Sequence, residues 1–186
     1  MMKKTLALID FDKTIISVDS FIYILKKERW FFNIRIIWKV IEILIAKLNH
    51  KDELEKRSSL KYILLSKYQF LPEEEKQKIV CQMKQKINVD VIMSIRNMHP
   101  DLIVIASASE TSLIDAVTKD VLNVNYIIAN DYIADGASFR TCYGEEKAKR
   151  FKEAITDYQD YDIYVWTDSL SDKPIIDLAK EYHHVR

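Results

Sequence analysis

Four short runs of apolar residues stand out along the chain: residues 5–9 (TLALI), 102–106 (LIVIA), 124–128 (VNYII) and 163–166 (IYVW). Each is continuous rather than alternating, the pattern of strands covered by helices on both faces. Helical stretches are predicted at 110–117 and 173–181, after the second and fourth runs, and at 145–155 before the fourth. Strands and helices in alternation predict an α/β fold with a parallel sheet and right-handed crossovers. The closing residues, Tyr182 to Arg186, read as the start of a further strand. Between the first and second runs lie about ninety residues without a strand signal, and helices are predicted there at 20–27, 30–48, 51–66 and 72–86. Pro72 followed by Glu73, Glu74 and Glu75 marks a helix start, because Pro suits the first turn and carboxylates suit the positive end of the dipole. His99-Pro100 is a helix stop before the second strand. The pattern predicts an α/β body, residues 1–16 and 97–186, interrupted by an all-helical insert, residues 17–96.

Composition narrows this picture. A chain of 186 residues fits one body or one body with an inserted module. With 48% hydrophobic and 30% charged residues it fills a core and is not a disordered chain. Only two glycines and three prolines argue against collagen, flexible linkers and turn-dense sandwiches. The 28 basic and 28 acidic side chains cancel, so the basic surplus of a dedicated nucleic-acid binder is missing. Cys81 and Cys142 have no metal-ligand spacing and read as reduced, buried thiols of a cytoplasmic protein. The opening MMKKTLALIDFDKT has too short an apolar stretch for a secretory signal, so a protein that is not exported is expected.

Parallel sheets bind ligands at the carboxyl ends of their strands. At those ends stand Asp10-Phe11-Asp12, Ser107-Ala108-Ser109, and Asp168 with Asp172 four residues on. Lys147 lies just inside the helix that precedes the fourth run. Acids that share a site, a hydroxyl and an ammonium are what a Mg²⁺-dependent phosphoryl-transfer centre needs. Mg²⁺ takes oxygen ligands and is held by one or two carboxylates plus phosphate and water. An aspartate can attack phosphorus to form an aspartyl-phosphate, and a neighbouring acid can protonate the leaving oxygen and later deprotonate water. Lys147 and the Ser107 hydroxyl would neutralise and hold the phosphoryl oxygens. Each piece alone is also a common turn or helix cap; the ordered set carries the reading.

In this order the motifs resemble the haloacid dehalogenase superfamily of phosphohydrolases, in its phosphoserine-phosphatase-like branch with a helical cap after the first motif. Asp10-Phe11-Asp12-Lys13-Thr14 is similar to the first family motif, Ser107 to the second, Lys147 in YGEEK to the third, and TDSLSD (167–172) to the fourth. The resemblance implies a Rossmann-like parallel core, Asp10 as nucleophile and Asp12 as general acid and base. It implies phosphate or substrate contacts from Thr14, Asp19, Ser107, Ala108 and Lys147. It also implies Mg²⁺ held by Asp10, the Asp12 carbonyl and Asp168, with Asp172 in support. Two departures stand out. Thr167, Ser169 and Ser171 replace the usual Gly, Gly and Asn of the fourth motif, and no motif places an arginine for a serine carboxylate. The chain end is also similar to the phosphatidylglycerophosphatase C family, lipid-phosphate members of this branch.

The expected activity is therefore hydrolysis of a small-molecule phosphomonoester, with a phospho-accepting regulatory protein as the alternative. A helical insert favours an enzyme that must exclude water over a bare receiver domain. Residues 30–48 (WFFNIRIIWKVIEILIAKL) are mostly apolar, with Arg35, Lys39 and Glu42 on one helix face. Charges inside the span argue against a membrane crossing. An insert helix packed on its neighbours, with a soluble substrate, is expected ahead of a helix that meets a membrane surface. His183-His184, adjacent in sequence, read as surface residues rather than metal ligands.

Overall fold

The computed structural model describes residues 3–49 and 53–186, apart from the side chains of residues 31, 46–49, 53 and 54. Five parallel strands form one sheet: β1 (Lys4–Ile9), β2 (Leu102–Glu110), β3 (Tyr126–Asn130), β4 (Tyr161–Thr167) and β5 (Glu181–His184), in the order β3-β2-β1-β4-β5. β1 is the central strand and Leu6 to Ile9 are fully buried, which is why its apolar run is continuous. Side chains alternate across it. Ala7 and Ile9 join the core on one face with Ile105 and Trp166, whereas Leu6 and Leu8 join Val104, Phe151 and Val165 on the other.

Five helices separate β1 from β2: α1 (Ser20–Lys27), α2 (Ile34–Asn49), α3 (Glu53–Gln69), α4 (Glu73–Lys84) and α5 (Val89–Met98). After β2 come α6 (Thr111–Thr118), α7 (Glu145–Ala154) before β4, and α8 (Lys173–Ile176) before β5. α6 covers the first sheet face through Leu113, Ile114 and Val117. The same core takes in Ile24 of α1, Ile79 and Met83 of α4, and Ile92 and Ile95 of α5, so part of the insert is continuous with the body. A separate cluster of Phe21, Ile36, Leu64, Leu65 and Phe139 ties α1, α2 and α3 to the loop that follows β3.

Several elements differ from expectation. The helix predicted at 173–181 stops after Ile176, because the Lys180 N–H donates to the Ile163 carbonyl and starts the pairing of β5 with β4. The predicted helix at 30–48 opens instead with a 3-10 turn at Trp30–Phe32, and α2 begins at Ile34. The predicted start at Lys51 lies outside the described residues. α5 was marked in the sequence only by its stop: His99 caps it at φ 49°. Cys142 is buried, but Cys81 is exposed. On α4 the buried positions are Ile79 and Met83, four apart, and Cys81 between them faces outward. Among the described residues, no helix is long and apolar enough to cross a membrane.

Candidate active site

β1 ends at Ile9, and the Asp10 N–H donates to the Trp166 carbonyl of β4 at 2.9 Å. The main chain then turns sharply through Phe11 to Ile16, with Lys13 at φ 56°, so the Asp10 and Asp12 side chains both reach one cavity of about 250 Å³ at the carboxyl end of the sheet. That cavity is also lined by Asp19, Ser107, Ala108, Lys147, Asp168 and Asp172. Eight of the nine residues singled out from the sequence thus converge. Thr14 does not line the cavity; it is fully buried, and its Oγ1 accepts the Asp168 N–H at 3.1 Å, bracing the loop after β4.

Lys147 is the hub. Its Nζ lies 3.0 Å from Asp10 Oδ1 and 2.7 Å from Asp172 Oδ1, all three side chains being nearly inaccessible to solvent. Gly144, one turn earlier, sits at φ 56° and ψ −125°, a conformation that only glycine adopts readily, and it turns the chain into α7 so that Lys147 points inward. Burial opposes the Lys147 charge, yet Asp10 and Asp172 hold its ammonium above the usual lysine range. Burial, opposed by Lys147 and reinforced by the charges of Asp172 and Asp12, pushes the Asp10 carboxyl up to about 7. Two buried carboxylates share one ammonium, which leaves surplus negative charge in the site.

Asp12 is held differently. Its Oδ2 accepts the Ser109 hydroxyl at 2.5 Å and its Oδ1 accepts the Ser20 N–H at 2.8 Å, while Ser20 Oγ and Ser109 Oγ lie 2.7 Å apart. Burial and the charge of Asp19 raise its pKa, against Lys61 and these two hydrogen bonds. Ser107, almost fully buried, accepts the Ser109 N–H through Oγ at 3.2 Å. Asp19 caps α1 by accepting the Ile22 N–H at 2.9 Å. Burial also raises Asp168.

The unusual fourth motif forms its own hydrogen-bond chain. The Ser169 N–H donates to Thr167 Oγ1 at 3.1 Å, and that hydroxyl donates to Asp172 Oδ2 at 2.7 Å. Ser169 and Ser171 pair through their hydroxyls at 2.7 Å. Thr167 therefore holds the carboxylate on which Lys147 rests.

Two cavity residues carried no sequence signal, Arg57 and Lys61 on α3; Tyr143, the first residue of YGEEK before α7, also lines the cavity. The Arg57 guanidinium lies 5.1 Å from the Tyr143 ring centroid. Burial lowers the Lys61 ammonium, against the attraction of Asp12, Asp19 and Asp10. Asn130, at the end of β3, is likewise silent in sequence. It donates to the Ala108 carbonyl at 2.6 Å and accepts the Cys142 N–H at 2.8 Å, joining β2 to the loop that precedes α7.

The donor set suits a hard divalent cation. The five carboxylates lining the cavity, Asp10, Asp12, Asp19, Asp168 and Asp172, offer only oxygen and outnumber by one the four cations Lys13, Arg57, Lys61 and Lys147. Among the described residues, no three acidic, His or Cys side chains close into a ready-made cage. Mg²⁺ does not need one, since it keeps several waters and borrows oxygens from phosphate.

The fold has solved counterparts. A protein of unknown function from Bordetella pertussis Tohama I superposes with a TM-score of 0.72 at 16% identity, over 97% of this chain and 89% of that one. The phospho-aspartyl intermediate analogue of phosphoserine phosphatase gives 0.61 at 18% identity, over 97% and 86%. The substrate-bound phosphoserine phosphatase complex gives 0.60 at 17%, over 98% and 86%. No curated protein sequence matches. The model of the haloacid dehalogenase-like hydrolase family matches residues 7–177, nearly the whole length, and the chain belongs to that family.

Proposed function

We propose that the chain is a Mg²⁺-dependent phosphomonoester hydrolase that works through an aspartyl-phosphate on Asp10, with the helices from α1 to α5 acting as its cap. The observation that carries this reading is Lys147, buried and shared between Asp10 and Asp172 beneath a cavity lined by Asp12 and Ser107. An Asp10 oxygen attacks phosphorus as the ester P–O bond breaks, and Asp12 gives its proton to the leaving oxygen. Asp12 then takes a proton from water, whose oxygen attacks the same phosphorus and releases phosphate from Asp10. The raised Asp12 pKa supports the proton-carrying role, and Ser109 and Ser20 hold the side chain in place for both steps. Lys147 and the Ser107 hydroxyl hold phosphoryl oxygens, and Lys147 keeps Asp10 oriented. Asp10, the Asp12 carbonyl and Asp168 would hold the cation, with Asp172 in support; when bound it would neutralise phosphoryl charge.

The purified chain with Mg²⁺ should release p-nitrophenol from p-nitrophenyl phosphate, and Asp10→Asn should lower turnover by about a thousandfold or more. Equal turnover by the two proteins would overturn the reading. A phosphorylated form that lasts for hours without turnover would identify a phospho-accepting regulator instead.

A further inference from the structure

A second cavity, about 410 Å³, opens from the first between α1, α2 and α3. The two share Asp19, Arg57, Lys61, Ala108 and Tyr143 as a common wall, so two chemically different halves adjoin. The phosphate half is lined by carboxylates, hydroxyls and Lys147. The other half is lined by Phe21, Leu25, Val40, Leu44, Leu60 and Leu64. Lys61 stands on the boundary, its Nζ 3.9 Å from the Phe21 ring centroid.

Resting on the phosphatase reading above, we propose that the ester's leaving group carries an apolar chain, which occupies this second cavity while the phosphoryl group sits over Asp10. Such a pocket would be costly to leave facing water, and a polar leaving group would find few hydrogen-bond partners in it. Arg57 and Lys61 at the junction suit the anionic end of an amphiphile, whose tail then has one direction to run. The outer surface continues the same chemistry. Ile22, Leu25 and Val40 also line an apolar groove between α1 and α2, and Phe32, Ile34, Trp38 and Ile45 of the same segment stand exposed. An apolar face of this extent marks a place where an apolar partner arrives. A phosphomonoester with a hydrocarbon tail explains both the inner pocket and its open apolar approach, whereas a small polar phosphate explains neither.

The test uses the full chain with Mg²⁺ and hydrolysis-resistant alkylphosphonates, ethyl to decyl, below their micelle concentrations. Calorimetric Kd should fall by about fourfold for each added methylene until the pocket is full. In Val40→Gln/Leu44→Gln, two partly exposed positions whose change leaves the core intact, that dependence should fall by at least half. A Kd that is flat from ethyl to octyl, or a slope untouched by the double variant, overturns the tail site. Phosphate release from ethyl and octyl phosphate separates the two readings. Tight octylphosphonate binding without hydrolysis of either ester sinks the phosphatase alone. Hydrolysis of both with a flat Kd sinks the tail site alone. Long-chain lysophosphatidate in phosphatidylcholine vesicles, compared with monomeric octyl phosphate, tells a bilayer source from a dissolved one. Faster turnover of either than of ethyl phosphate supports the tail site.

Discussion

The sheet and the helices between β1 and β2 treat apolar residues in opposite ways. Leu6, Ala7, Leu8 and Ile9 of β1 are wholly buried, as are Phe151 of α7 and Leu113 of α6. On α2, Ile36 is buried, but Trp38 is 60% exposed, Ile34 63% and Leu44 56%. Burial in the body follows from the sheet, which needs both faces covered. Exposure on α2 has no such structural need, because an exposed apolar stripe contributes little to folding. The difference teaches what each set of apolar residues is free to do: in the body they stabilise the fold, and on α2 they stand open, where the proposed apolar tail would arrive.

The largest test of this contrast falls on the polar hub of the body. Lys147→Met should cost about a hundredfold to a thousandfold in turnover. It should also lower stability by about 3–5 kcal/mol, because Asp10 and Asp172 lose their shared buried partner. Denaturant unfolding at neutral pH reads the second effect. Next comes a matched pair of aromatic truncations. Phe151→Ala should cost about 3–5 kcal/mol through the cavity it leaves. Trp38→Gln should change stability by no more than about 0.5 kcal/mol. Similar losses at the two positions would mean that α2 packs its apolar face as tightly as the sheet does.

The smallest effect concerns the rim of the sheet. Asp101 accepts the Thr5 N–H at 2.7 Å and its hydroxyl at 3.1 Å, and these bonds hold its carboxyl below the usual value of 3.8. A carboxylate depressed in the folded state adds stability that is fully present above its unfolded pKa and disappears as pH falls through the folded one. Wild type should therefore melt slightly above Asp101→Asn at neutral pH, and the gap should close below about pH 4. A gap that widens on acidification would show that these bonds do not favour the ionised form.

The same contrast accounts for what could be read before the structure. The strands were legible because burial on both faces writes an uninterrupted apolar run, as at TLALI and LIVIA. Asp10, Asp12, Ser107, Asp168 and Asp172 were legible because strand ends mark where such a sheet binds ligands. Arg57 and Lys61 were not. A lysine or arginine on a helix normally faces water, and only the packing of α1, α2 and α3 turns these two toward Asp12 and Asp19. Asn130 was hidden for the same reason, since the contacts that define it are distant in sequence. The length of α8 was misjudged because local helix preference at 177–180 yields to the pairing of β5 with β4. The exposed face of α2 was predicted to be packed, since periodicity reports a helix with one apolar side but not what that side meets.

The position of β1 between β2 and β4 also bears on when the molecule becomes active. Lys147 follows Asp10 by 137 residues, and the carbonyl that receives the Asp10 N–H belongs to Trp166. Synthesis proceeds at about 5–20 residues per second, so several seconds pass before Asp10 meets its partners. During that interval the helices from α1 to α5 are already made, but β1 has no neighbour on either edge until β2 and then β4 arrive. The nascent chain thus carries Asp10 without the groups that complete its site. Catalytic competence is the last property that this topology grants.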